Sequence, residues 1–392
     1  MKNVLITGGT VYGRLDDNKL VGNRIRGIWA TRFARLLVEN GNNVTLLLPD
    51  TYDLNLLRTP CPPTRGGEIG TMTVVTHDGY QSYAEQCYAL APKMDAAVMA
   101  GAVVNWIPSM PIKGKMKTEG YAEGDCISVS FILAPRVIDR MKKLNPKLTL
   151  IGCKMTSGAD PAETKRQAYG TLLKAHCNVV VANDLQSLKT KTLLYPDGHT
   201  QHFVNDFDGM FKDLGTLIDD QFYRTEPQLA DYRDASTGSL DDAFRVFDAV
   251  VEKYRARFSK RPEGPDGPDR VFGSVAVRID AERVLVSPRE KGTMFSSQDS
   301  VVVASVNPEA RVIHTVRGKK ATLNAPLLYR VLNAYNARAV LHLHEEQSGW
   351  PASPYAPPGT VRDNDRTFVT PAFNITGHGF VAALDEKLEF LR

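Results

Sequence analysis

The feature that most constrains the fold is a strand–turn–helix–strand pattern at the N-terminus. Residues 3–7 form an apolar run, Val4-Leu5-Ile6, that closes in Thr7-Gly8-Gly9; this reads as a buried strand entering a tight turn. Residues 26–39 follow with Ile28, Trp29, Phe33, Leu36 and Leu37 spaced for a helix that lays one face on a sheet. Gly41 ends that helix, and residues 44–48 read as a second buried strand. Parallel strands joined by a helix need a sheet covered on both faces, so the chain begins as an α/β domain. The alternation predicts further strands at 72–76, 96–100, 148–152 and 178–182, with helices at 162–176 and 206–223. The Lys- and Gly-rich residues 107–125 read as an excursion outside the sheet.

The texture changes after residue 224. A helix is predicted at 240–258, and residues 259–269 carry three prolines and two glycines, which exclude helix and strand and mark a linker. β-rich segments follow at 274–279, 283–287, 301–306 and 312–316, then a helix at 325–337 and a strand at 339–344. A chain of 392 residues exceeds what one core usually supports, so two domains are expected, at 1–225 and 236–392. The net charge of +4 is too small to suggest a nucleic-acid partner. No apolar run approaches the ~20 residues of a membrane span. Five scattered cysteines without a C-x-x-C pair predict reduced thiols and a cytoplasmic setting.

The N-terminal glycines do not make a dinucleotide fingerprint: Gly13 is out of phase for G-x-G-x-x-G, and the P-loop pattern is missing. More informative are Asp16, Lys19, Asn23 and Gly27, with Lys113, Lys115 and Lys117 and the run Ala182-Asn183-Asp184-Leu185. In order, with Gly152-Cys153-Lys154-Met155-Thr156-Ser157, these resemble the motifs of the phosphopantothenoylcysteine synthetase family over about residues 1–225. Lys19 stands for an Arg of that family, and Ile25-Arg26 for two serines. The resemblance implies a Rossmann-like parallel sheet and a carboxylate–amine ligase that activates its acid with CTP and Mg²⁺. It also implies roles: Asn23 for the acyl-nucleotide intermediate, and Lys115 as the catalytic phosphate ligand. Nucleotide binding is implied for Gly8, Gly9, Asp16, Gly27, Lys113, Lys117, Asn183 and Asp184. Small-molecule carboxylate and amine substrates would be the partners.

The strongest short motif is His342-Leu343-His344. On a strand i and i+2 point the same way, so both imidazoles can share a metal, with His378 of Gly377-His378-Gly379 as third ligand. Three imidazoles leave an open position suited to Lewis-acid catalysis. This arrangement, with Ser287-Pro288 and Thr322-Leu323-Asn324, resembles the class II aldolases over about residues 236–392. The resemblance implies an α/β domain with a central, largely antiparallel sheet and a Zn²⁺ site. Asn324 stands where that family has its acid/base glutamate, and an amide cannot shuttle a proton. Both families imply a homo-oligomer. Alternative readings of the whole are a zinc-dependent lyase or isomerase acting on a small sugar-like substrate, and a non-catalytic nucleotide-binding scaffold. The Pro-rich residues 350–359 read as a surface connection, the alternative being a loop that covers the histidine site.

Overall fold

The computed structural model describes residues 1–57, 69–227, 237–260, 270–316 and 319–391, which divide into two compact units. The first holds residues 1–194 and 201–219; the second holds 195–200 and the chain from 220 onward. The predicted boundary at 225 therefore falls too late, because Arg224–Pro227 is already a strand of the second unit's sheet. The predicted linker at 259–269 lies, beyond residue 260, outside the described residues.

The first unit contains an eight-stranded sheet. Its strands are β1 (Asn3–Thr7), β2 (Asn43–Pro49), β3 (Met72–His77), β4 (Ala96–Met99), β5 (Thr149–Thr156), β6 (Val179–Asp184), β7 (Thr190–Leu194) and β8 (Thr200–Val204). Their order is β8-β7-β6-β5-β4-β1-β2-β3; the strands from β3 to β6 are parallel, and β7 turns back antiparallel. Chain order reverses direction between β1 and β4, the position where open α/β sheets leave a crevice at their carboxyl ends. The helices are α1 (Ile28–Glu39), α2 (Tyr80–Leu90), α3 (Ile138–Leu144), α4 (Pro161–Ala175) and α5 (Phe207–Asp219). α1 buries Ala30, Phe33, Ala34 and Leu37 at three- and four-residue spacing, and Phe33 stacks on Phe211 of α5 at 5.1 Å. Side chains of the size of Phe33 and Leu37 each contribute about 1.5–3 kcal/mol by leaving water. α4 starts where the Asp160 carboxylate accepts the Glu163 N–H, with Pro161 at the first helical position, and ends at left-handed His176. The expected excursion at 107–125 includes one ordered part, Trp106–Pro108, paired antiparallel with Phe131–Leu133.

The second unit carries a nine-stranded sheet. It comprises β9 (Arg224–Pro227), β10 (Ser274–Arg278), β11 (Val284–Val286), β12 (Val301–Asn307), β13 (Val312–Thr315), β14 (Ala339–Leu343), β15 (Ala352–Ser353), β16 (Ala372–Ile375) and β17 (Gly379–Leu384). The order is β9-β13-β12-β11-β10-β14-β17-β16-β15, antiparallel except at its two ends, so the sheet is mixed. Helix α6 (Thr237–Tyr254) shares a core with Ala339, Leu341 and Leu343 on one face of β14. Helix α7 (Ala325–Ala334) shares another with Val340 on the opposite face. The predicted helix at 325–337 ends early, because Asn336 takes a left-handed φ of 44°.

Gly379 fixes the approach of β17 to β14. Its φ is +146°, and a Cβ there would lie 1.9 Å from the Leu343 carbonyl oxygen. Gly379→Ala is expected to cost more than about 3 kcal/mol, seen as a fall in the second unit's melting temperature of roughly 5–10 °C. An unchanged melting curve would show that the two strands can part without loss.

Candidate functional sites

In the first unit Gly8, Gly9, Asp16, Asn23 and Gly27 lie after β1 and Lys113, Lys115 and Lys117 after β4, while Asn183 and Asp184 end β6. Gly8 continues β1 by donating to Leu47 O, and Gly27 caps α1 with φ +74°. A Cβ on Gly27 would sit 2.5 Å from the Gly9 nitrogen, so the two glycine turns touch backbone to backbone. No side chain caps α1 and no acid lies in its first turn, which leaves the helix start receptive to an anion. Asn23 is exposed, and its amide donates to Ala102 O and Val103 O, both at 3.2 Å. Thr10 Oγ1 donates to Asn23 O and Ile25 O from the other side. Asn23 is thereby pinned between the loops after β1 and β4, at the crossover of the sheet.

The acidic residues of the expected nucleotide site have other work. Asp16 is buried, and its carboxylate accepts the Met116, Asn18 and Lys19 N–H groups and pairs with the Lys19 ammonium at 3.2 Å. The Met116 N–H and the other donors hold its carboxyl well below the usual carboxylate range. Asp17 and Gly114 add two further bonds, so this turn anchors the segment that exposes Lys113, Lys115 and Lys117. Asp184 accepts from Gln186 N, Thr156 Oγ1, Gly158 N and Ala159 N, and these donors lower its pKa. Both carboxylates tie loops together. Asn183 differs: its amide nitrogen is buried without a hydrogen-bond partner among the described residues. Lys154 went unassigned in the sequence, yet burial and then the charge of Arg136 lower its pKa.

In the second unit three histidines meet. His342 lies within β14, on the face it shares with Val340, between Ser274 of β10 and Val381 of β17. His344 follows two residues on and stacks on Phe272 at 4.6 Å. His378 comes from the turn between β16 and β17, where Gly377 has φ +68° and His378 N–H donates to Ile375 O. One ligand atom from each lies within 4.8 Å of the others. His342 is fully buried and burial pushes its pKa well below the usual imidazole value, aided by the neighbouring His378. Burial, then the charge of Arg366, pushes His378 down to about 3. Neutral imidazoles are the form that binds metal. His342 Nδ1 lies 3.1 Å from Phe380 O, while its Nε2 and both His378 nitrogens are buried without a hydrogen-bond partner among the described residues. These open lone pairs fit a divalent metal.

Asn324 is buried at the start of α7, and its Oδ1 has no hydrogen-bond partner among the described residues. Nearby Thr322 Oγ1 pairs with Ser274 Oγ at 2.8 Å. Residues 350–359 are not a simple surface connection. Residues 356–359 are buried, and the Tyr355 ring packs edge-on to His378 at 6.1 Å. Two residues were not legible in advance. Asp197 Oδ2 lies 3.5 Å from His378 Nε2, and burial pushes its carboxyl up to about 6. Asp363 pairs with buried Arg366, yet burial still pushes it up to about 7. The sequence around Asp197, Tyr195-Pro196-Asp197-Gly198, signals only a turn.

The family model of the DNA/pantothenate metabolism flavoprotein C-terminal domain matches residues 1–204. The chain belongs to this family. Similar solved structures include the DNA/pantothenate metabolism flavoprotein from Streptococcus pneumoniae, at 15% identity and TM-score 0.45, covering 55% of this chain and 99% of that one. The C-terminal domain of the coenzyme A biosynthesis bifunctional protein CoaBC shows 17% identity and TM-score 0.42, covering 56% of this chain and 96% of that one. A Cab2 mutant in complex with phosphopantothenate-cysteine shows 15% identity and TM-score 0.46, covering 56% of this chain and 86% of that one. No curated protein matches the sequence. The family assignment rests on the sequence match. Among the described residues no helix is long and apolar enough to cross a membrane, and Cys87, Cys126, Cys153 and Cys177 are free thiols.

The raised Asp197 pKa gives a signed pH effect. Its folded value of about 6 exceeds the ordinary 3.8, so the folded state binds more protons between those values. Stability of the metal-free protein is therefore reduced by this group as pH rises from about 4 to about 6, and the penalty persists above. Asp197→Asn is expected to stabilise the metal-free protein by about 1–3 kcal/mol at pH 7.5 and by nearly nothing at pH 4. Denaturant unfolding at the two pH values measures this; destabilisation at pH 7.5 would contradict it.

Proposed function

We propose that the first unit is a nucleotide-dependent carboxylate–amine ligase of the phosphopantothenate–cysteine ligase type, using CTP with Mg²⁺. The observation that carries the reading is the family match over residues 1–204, joined with Asn23 pinned at the sheet crossover. A carboxylate is a poor electrophile, so its oxygen first attacks the nucleotide α-phosphate and pyrophosphate leaves. The amine then attacks the acyl carbon and the nucleotide leaves as its monophosphate. Lys115, with Lys113 and Lys117, would offset the charge on the triphosphate, and the uncapped start of α1 beyond Gly27 offers backbone N–H groups to a phosphate. Asn23 would hold the activated acyl group. The amide nitrogen of Asn183, buried without a hydrogen-bond partner among the described residues, suits a nucleotide hydrogen bond. Ile25-Arg26, in place of two serines, point to an acid or amine other than the usual pair, and exposed Arg24 and Arg26 favour an anionic one. The exposed apolar ribbon of Trp106, Ile132 and Leu133 supports a homo-oligomer.

Pyrophosphate release with each nucleoside triphosphate, in the presence of candidate acids and amines, tests the ligase. Lys115→Ala is expected to lower kcat/KM by about 10²–10³-fold. Asn23→Ala should slow amide formation more than pyrophosphate release in a single turnover. Release unaffected by Lys115→Ala would remove that lysine from the site.

The appended unit supports a second reading, an aldolase-like domain that binds Zn²⁺ through His342, His344 and His378. The metal would act as a Lewis acid on a substrate oxygen. His342 would bind through Nε2, because its Nδ1–H is committed to the Phe380 carbonyl. Asn324 offers only an amide, so an unmodified aldol cleavage is not supported, and a zinc-dependent lyase or isomerase would need another proton carrier. Elemental analysis is expected to find one zinc per chain and its loss in His342→Ala; equal zinc in both would rule out the triad.

A further inference from the structure

We propose that Asp197 is the outer carboxylate that sets His378 for metal binding, carried on residues 195–199 as a clamp around the turn between β16 and β17. This rests on the reading of the histidine triad as a metal site. Each of the two most buried histidines has one ring nitrogen facing an oxygen acceptor. His342 has Nδ1 at a backbone carbonyl and Nε2 without a hydrogen-bond partner among the described residues. His378 has Nε2 at 3.5 Å from Asp197 Oδ2, within ion-pair reach but not hydrogen-bonded, and Nδ1 without a hydrogen-bond partner among the described residues. A histidine ligand generally gives its second ring N–H to a carboxylate or carbonyl, which fixes tautomer and ring orientation. With its Nε2–H toward Asp197, His378 turns the Nδ1 lone pair to the metal.

Asp197 is itself held. Its Oδ1 accepts the His199 N–H at 3.0 Å, and the Tyr355 hydroxyl lies 3.3 Å from Oδ2. The His199 ring stacks on Tyr355 at 4.0 Å and places Nδ1 2.9 Å from Gly377 O. The segment thus grips two consecutive residues, Gly377 by its carbonyl and His378 by its ring. His342 is fixed by strand pairing on both sides and His344, just past β14, stacks on Phe272, whereas His378 sits on a turn and needs such support. Asp197 is not a fourth member of the cluster, which groups the three imidazoles alone. Residues 195–199 lie inside the stretch that matches the ligase-related family, yet they belong to the second unit. Neither half of the chain read as a separate module would include both this carboxylate and its histidine.

The test is zinc affinity by chelator competition on the full chain, with Co²⁺ absorption spectra of the same proteins. Asp197→Ala is expected to bind zinc about 10- to 100-fold more weakly than wild type and to alter the Co²⁺ spectrum. Asp197→Asn keeps an oxygen that accepts the imidazole N–H, so it should recover part of the affinity and the wild-type spectrum. It also decides the question if Asp197→Ala fails to fold. Equal zinc affinity and an unchanged Co²⁺ spectrum in the folded variants would overturn the role of Asp197 while leaving the triad intact. A wild-type protein that binds no zinc would overturn both.

Discussion

Burying imidazoles without charge is the constraint on which the second unit's chemistry depends. His342 lies inside a nine-stranded sheet with a neighbouring strand on each side, and His378 is nearly as enclosed. An imidazolium there would lack water and would face another histidine and the Arg366 charge, so both rings stay neutral. Neutral rings with unpaired nitrogens are poor core residues, because each buried lone pair gives up a hydrogen bond to water. The arrangement becomes favourable when those lone pairs have a metal to bind. The nearby buried carboxylates of Asp197 and Asp363, both pushed up by desolvation, follow the same logic. They disfavour the metal-free state and would be offset by a positive charge at the triad.

The first unit solves a different problem, which is to hold long loops at the carboxyl edge of a parallel sheet. Two acidic residues do this from within the protein. Asp16 collects three backbone N–H groups and a lysine, and Asp184 collects three backbone N–H groups and a threonine hydroxyl. Ionised carboxylates are strong acceptors, and several donors on each make a loop anchor that needs no regular secondary structure. The exposed lysines at 113, 115 and 117 and the amide of Asn23 are then presented on supported loops. That division, carboxylates inward and cations outward, suits an anionic ligand better than a cationic one.

Much of the framework was legible in the chain. The β1–α1–β2 unit could be read from Val4-Leu5-Ile6, the helical spacing of Phe33 and Leu37, and the glycine turns, because local periodicity alone dictates those elements. The strands β7, β8 and β9 were not legible, since their short polar-rich runs carry no clear apolar signal in the sequence. The sequence marks Asp16 and Asp184 as site candidates; only the fold shows the backbone donors that gather on each.

The histidines divide the matter most clearly. Sequence determined that His342 and His344 share a side, because a strand repeats every two residues. It also offered His378 as a third ligand. Tertiary structure decided that the three converge, that the two buried rings are neutral, and that Asp197, 181 positions before His378, stands behind the last of them. Such a contact depends on which loops the sheets bring together, and no local pattern encodes that distance.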